Sequence, residues 1–232
     1  MRRLLFFIAA LVVLAGVLAP LLYRRIELAP LLHDVIGVDV SHHQGDIDWA
    51  ALAASGIAFA FIKATEGGDF RDKRFQQNWN AAKAEGILRG GYHFFTQCRT
   101  GAEQAANFIA AVPKEAGALP PVIDAEHMGP CTYGTQVADV RAEVLAFMDL
   151  VGAHYGKRPI VYVTEEFHRA HLDGHLPGER FWVRSIFWPP SIRRESWLFW
   201  QYHHKGQRPG VKGPLDLNAF RGTKAELQAL AH

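Results

Sequence analysis

The chain has 232 residues, 49% of them hydrophobic and 21% charged, with 25 basic against 23 acidic side chains and a formal net charge of +2. That length and balance give one substantial core and exclude a disordered chain. With no long Lys/Arg run, they also give no electrostatic reason for a nucleic-acid partner.

Met1-Arg-Arg3 precedes Leu4 to Leu22, nineteen residues without a charge, and Tyr23-Arg-Arg25 follows. The run exceeds the signal-peptide core of about 7 to 15 residues and approaches the roughly 20 that span a bilayer. No A-x-A cleavage site follows, so residues 1–25 read as a signal-anchor in preference to a removed signal peptide, and 26–34 as a linker to one domain over 35–232. An exported chain is expected, held at the membrane through its N-terminal helix and facing the periplasm or cell exterior, or secreted if the segment is cleaved.

Val35-Ile-Gly-Val-Asp-Val40 reads as a buried strand followed by the polar loop Ser41 to Asp46. Asp48 is a plausible cap for a helix that stops at Gly56. Strands follow at Ala58 to Lys63 and Ile87 to Phe95, with a helix between them over Asp72 to Gly86 that places Phe75, Trp79 and Ala82 on one face. A helix over Gly101 to Val112 ends before Pro120-Pro121, which forbid its continuation into the strand Val122 to Glu126. Thr135 to Tyr155 carries Val140, Val144, Phe147, Met148 and Val151 at helical spacing, and Ile160 to Val163 is strand again. Beyond it the intervals shorten: Phe181 to Ser185, Leu198 to Tyr202 and Leu215 to Leu217 read as strands too close for full crossover helices, since a βαβ unit takes about 30 residues. The fold class is therefore α/β, an irregular (β/α) barrel of TIM type with five β/α units followed by three helix-poor strands. Sites on such barrels gather where the strands end.

Asp124 and Glu126 flank one residue at the end of their strand, so alternation points both the same way with Cα atoms roughly 6.5 Å apart. The other strand ends would add Asp39, Glu66, Tyr92, His93, Tyr162, Trp182, Arg184, Trp200, Gln201, Tyr202 and Asp216. Acids crowded among aromatics suit an acetal substrate. Sugar faces stack on Trp and Tyr, one carboxylic acid stays protonated because its neighbours repel its charge, and a second stays ionised beside an oxocarbenium-like centre. Cys98 and Cys131 each follow a strand end, and a disulfide between them is expected in an exported chain.

Six strings carry a resemblance: Gly37-Val-Asp-Val-Ser-His-His-Gln-Gly-Asp46, Phe61-Ile-Lys-Ala-Thr-Glu-Gly67, Gly91-Tyr-His-Phe94, Pro121-Val-Ile-Asp-Ala-Glu126, Trp200-Gln-Tyr202 and Asp216-Leu-Asn218. In this order they resemble the signature segments of glycoside hydrolase family 25, the lysozyme-type muramidases. The resemblance implies a barrel of the kind inferred above and cleavage of the β-1,4 bond between N-acetylmuramic acid and N-acetylglucosamine in the glycan strands of peptidoglycan. It implies that Glu126 is the proton donor and Asp124 the carboxylate assisting at the anomeric centre, with Asp39 and Asp216 as two further site acids. Tyr92 and Tyr162 would lie near the substrate's N-acetyl group, and Trp200 and Gln201 would line the cleft. Where family members often read W-[IV]-A-x-Y, this chain has Trp182-Val-Arg-Ser-Ile186. Arg184 thus brings a cation to the cleft, to meet an acidic stem-peptide carboxylate or to pair with a site acid.

No cofactor or metal is expected, and the protein is expected to act as a monomer. Two competing readings are a metal-dependent polysaccharide hydrolase or deacetylase using Asp39, His42, His43, His93 and Asp124, and a cell-wall-binding module with weak or lost catalysis. The first lacks any H-x-H or H-x-x-E-H spacing. Against the second, all four expected acids are present.

Overall fold

The structure is a computed structural model that describes residues 27–127, 137–186 and 188–232. The expected transmembrane or signal helix of residues 1–25 lies outside these, and so does Cys131 of the expected disulfide. Among the described residues no helix is long and apolar enough to cross a membrane.

Among the described residues the strands are β1 (Val35–Val40), β2 (Ile57–Glu66), β3 (Phe70–Arg71), β4 (Leu88–Phe94), β5 (Val122–Ala125), β6 (Ile160–Thr164), β7 (Phe181–Arg184), β8 (Trp197–Gly206) and β9 (Leu215–Phe220). They pair in the order β1-β9-β8-β7-β6-β5-β4-β2-β3, and a further pairing of β1 with β2 closes eight of them into a barrel, with β3 as a short hairpin flange on β2. The main helices are α1 (Trp49–Ala54), α2 (Phe75–Ala84), α3 (Gly101–Ala111), α4 (Val140–Tyr155) and α5 (Lys224–Leu230). A short helical turn over residues 165–172 takes the helix position after β6. The five units and the helix-poor last third are therefore present.

Local chemistry sets the element ends. Asp48 accepts from the Ala51 amide at the start of α1, and Thr100 with Glu103 forms a capping box on α3. Asp139 caps α4, which ends on Gly156 at φ 72°, a left-handed turn that glycine enters freely. Val140, Val144, Phe147, Met148 and Val151 are all buried, as their spacing predicts.

One strand runs the other way. β9 is antiparallel to both β8 and β1, while every other pair around the barrel is parallel. The connection over residues 207–214 is too short for a parallel crossover, which takes a dozen or more residues, so the chain turns back as a hairpin. Asp216 therefore sits at the start of its strand, and that start lies on the rim where the other strands end.

The expected linker is not free chain. Ala29–Leu32 is a short helix with Ala29 buried, and the His33 ring packs edge-on against Trp197 and Trp200. Glu27 accepts from Arg208 at 2.5 Å and from the Tyr202 hydroxyl at 3.2 Å. Burial pushes the Glu27 carboxyl up, but Arg208 more than offsets this and its pKa ends below the ordinary value. The segment thus covers the outer face of β8, where the barrel lacks a helix.

Candidate active site

Alternation along the strands decides what the barrel mouth contains. Val35, Phe59, Phe61, Val122, Ile160, Trp182, Phe199 and Phe220 fill the interior as one apolar cluster. On each strand the next inward position toward the rim is polar: Asp39 beyond Gly37, Lys63 beyond Phe61, Asp124 beyond Val122, Tyr162 beyond Ile160, Arg184 beyond Trp182 and Gln201 beyond Phe199. On the reversed strand Asn218 and then Asp216 lie beyond Phe220. Gly37 has no side chain because a Cβ there would lie 2.5 Å from the Phe59 ring.

The result is a cavity of about 400 Å³ holding Asp39, Asp124, Glu126 and Asp216 together with Tyr92, Tyr162, Gln201 and Arg184. Trp182 forms its floor, stacked on Phe61 at 4.8 Å and edge-on to Tyr162 at 4.7 Å. Neighbouring strands align the acids: Asp39 is the register partner of Asp216, and Asp124 lies between Phe94 and Tyr162.

A hydrogen-bond chain fixes one of these acids. The Tyr162 hydroxyl donates to Gln201 Oε1 at 2.9 Å, and Gln201 Nε2 donates to Asp39 Oδ2 at 3.0 Å. Trp182 Nε1 donates to Asn218 Oδ1 at 2.8 Å, and Asn218 Nδ2 donates to the same Asp39 oxygen at 2.7 Å. Two amide donors on one oxygen favour the ionised carboxylate. Burial raises the Asp39 pKa to about 6, a rise that these two donors and the Arg184 charge limit.

Asp216 and Asp124 hold protons more firmly. Burial lifts the Asp216 pKa to about 8, helped by the Asp39 charge. Asp124 is pushed well above the carboxylate range by burial and then by Glu126 and Asp39, and its Oδ1 is buried with no partner among the described residues. Burial raises Glu126 too, with Arg184 opposing. The expectation that Asp124 is the ionised partner of Glu126 thus meets a different electrostatic order. The two amide donors favour Asp39 as the anion of the cavity, while burial beside Glu126 and Asp39 favours the protonated form of Asp124.

Three expected rim residues face elsewhere. Trp200 is fully buried on the outer face of β8, where its Nε1 donates to the Ser185 carbonyl at 2.6 Å, so it does not line the cleft. Tyr202, two residues on, shares that face, because only Gln201 of the trio has inward parity. His93 lies between sheet and helices: it contacts Thr65 Oγ1 at 2.7 Å and Gln104 Oε1 at 3.0 Å, and stacks on Phe147 at 4.9 Å. Burial lowers its pKa to about 4. Glu66 accepts from Lys63 at 2.6 Å.

The metal reading loses its geometry in the same way. His42 Nδ1 pairs with Asp72 at 2.7 Å, His93 faces outward, and no group of three or more His, Cys, Asp or Glu side chains among the described residues is placed to hold a metal. Lys63, Gln44, His204 and Asn218 belong to the site but were not singled out from the sequence, and His43, named there only as a metal ligand, lines the cavity as well. For Lys63 the signal was there: Phe59, Phe61 and Lys63 alternate on a single strand.

The sequence profile of Glycosyl hydrolases family 25 matches residues 38–211. Lysozyme M1 of Streptomyces globisporus is 34% identical over 212 residues, covering 85% of this chain and 71% of that protein. An N,O-diacetylmuramidase of Chalaropsis sp is 36% identical over 139 residues, 56% of this chain and 66% of the relative. The solved structure of a family 25 glycosyl hydrolase from Bacillus anthracis superposes with a TM-score of 0.80 at 39% identity, covering 86% of this chain and 94% of that one.

Proposed function

This chain belongs to glycosyl hydrolase family 25, and from that premise we propose how its barrel mouth cleaves glycan. It is a peptidoglycan-cleaving muramidase, hydrolysing the β-1,4 bond between N-acetylmuramic acid and N-acetylglucosamine. The observation that carries the assignment of roles is the depth ordering of the acids at a single strand end.

Glu126 follows the last residue of β5 and is half-buried, so its carboxyl can reach a leaving oxygen in the cavity, and the upward shift that burial gives its pKa favours the protonated form an acid catalyst needs. Asp124, one pleat deeper and enclosed, assists by hydrogen-bonding the substrate's N-acetyl group. Asp39 supplies the ionised carboxylate beside the developing positive charge, held in place by Gln201 and Asn218. Asp216 is a fourth acid, whose protonation limits the negative charge in the mouth. The Tyr92 hydroxyl, which burial and the neighbouring acids keep neutral, is a donor to the substrate. Trp182 takes the place in the cleft that Trp200 was expected to fill.

A cell-wall substrate puts the working enzyme outside the cytoplasm. We further propose that Leu4–Leu22 anchors it to the membrane, that residues 35–232 form its hydrolase domain, and that Cys98 and Cys131 are bridged where β4 and β5 neighbour each other. Digestion of purified peptidoglycan by the domain, with products identified by mass, tests the bond assignment. The expected products are disaccharide units ending in reducing N-acetylmuramic acid. Products ending in reducing N-acetylglucosamine, or no soluble product, would contradict it.

A further inference from the structure

Arg184 stands apart from the other arginines of the described structure that touch acids. Arg74, Arg89, Arg158, Arg169 and Arg208 each pair with a carboxylate, and Lys63 in the cavity pairs with Glu66. The Arg184 guanidinium lines the cavity and has neither a hydrogen bond nor an ion pair among the described residues. It is nonetheless close enough to Asp39, Glu126 and Asp216 to act on their charges. The side chain sits on the last residue of β7, one pleat above the Trp182 floor, with the cavity-lining His204 of β8 on the same side. A planar five-donor cation, half-enclosed and without a partner, is a built receptor for a carboxylate.

Of the two sugars in the glycan, only muramic acid carries a carboxyl. Its lactyl ether ends in one, which is free in peptide-stripped strands and is otherwise amide-linked to a stem peptide with carboxylates of its own. Resting on the muramidase reading, we propose that Arg184 is a specificity residue that binds a carboxylate on the lactyl branch of N-acetylmuramic acid, and so fixes which sugar occupies the subsite over β7. The guanidinium then distinguishes muramic acid from glucosamine by charge, and the effect of its charge on the acids is secondary, a result of their shared cavity.

The test compares wild type, Arg184→Gln and Arg184→Lys on three soluble substrates. These are peptide-free glycan strands, the same strands with the lactyl carboxyls converted to neutral methylamides, and uncrosslinked strands bearing stem peptides. Reducing-end release gives kcat and KM for each. Wild type is expected to favour the charged over the neutral strands by about tenfold in kcat/KM, the scale of one charge-assisted contact, with the difference carried by KM. In Arg184→Gln that ratio falls to near one, and Arg184→Lys keeps part of it. A ratio that collapses for peptide-bearing strands alone identifies the stem peptide as the carboxylate source. A ratio unchanged in Arg184→Gln, or a loss of kcat equal on all three substrates at constant KM, overturns the proposal and leaves Arg184 acting on the acids alone. If wild type cleaves none of the strands, the muramidase reading itself fails, a result distinct from either of those.

Discussion

Asp216 shows what a crowded mouth costs the fold. Its pKa rises to about 8 chiefly because burial penalises the charged form. The folded chain therefore binds that proton more tightly than the unfolded chain, whose carboxyl titrates near the ordinary 3.8. A group shifted upward contributes stability that is fully present below the unfolded pKa and is lost as pH rises through the folded value. Asp39, raised to about 6, acts in the same direction over the lower part of that window. The protein should lose stability between about pH 4 and pH 8. Asp216→Asn, which keeps the shape and cannot ionise, should lift the melting temperature by a few degrees at pH 8, at roughly 2–4 °C per kcal/mol for a chain this long, and by much less at pH 5. Thermal melts of both proteins across that range check it, and an equal shift at every pH would mean that charge burial is not the cause. The Asp-x-Glu pair was legible in the sequence because a strand end with i, i+2 acids is local information. Which acid holds the charge was not, because it depends on the amides of Gln201 and Asn218 converging on Asp39 from two other strands.

Among the elements, the contact between α3 and α4 places α3 behind the site. Gly101 opens α3 and its amide donates to Glu143 Oε2 at 2.6 Å, while a Cβ on it would come 2.0 Å from the Glu143 carbonyl oxygen. That oxygen is helix backbone and cannot step aside, so Gly101→Ala must push the two helices apart. The expected cost is at the upper end of the 1–3 kcal/mol usual for overpacking, read as a melting point lowered by several degrees. Gly86→Ala, which has open space for its Cβ but a φ of 72°, isolates the cost of a left-handed backbone alone. A Gly101→Ala protein that melts like wild type would show that the helices re-seat freely. Helices α1 to α4 were readable from caps and periodicity, and the buried face of α4 was predicted residue by residue. Strand parity was readable in principle: in Trp200-Gln201-Tyr202 only one parity can face the cavity, yet all three residues were placed there. Aromatic residues suit both a sugar cleft and the layer between sheet and helices, so residue type alone did not choose, and the register of β8 against β7 and β9 did.

At the scale of the molecule, the eight barrel strands were legible because most are β-branched or aromatic runs bounded by turn residues. The direction of β9 was not read, since alternation is the same in both directions. Only the short 207–214 connection and the closure of β9 onto β1 reveal the reversal, and that reversal brings Asp216 to the rim. The docking of residues 27–33 was also missed, because a segment with one buried alanine and one histidine has no periodic pattern to read. What the whole fold achieves is convergence: residues from all eight barrel strands, with Glu126 just past the end of β5, meet in a single cavity above an apolar interior.

As the proposed donor of a proton to the leaving oxygen, Glu126 is tested most directly by Glu126→Gln. Its release of reducing ends from purified peptidoglycan should fall at least a thousandfold below wild type at every pH, since the amide holds no proton to give. Its melting temperature should stay at or slightly above the wild-type value, because a half-buried carboxyl with a raised pKa is being neutralised. Turnover by a folded Glu126→Gln within tenfold of wild type would contradict the assignment and move the proton donor to another acid of the mouth.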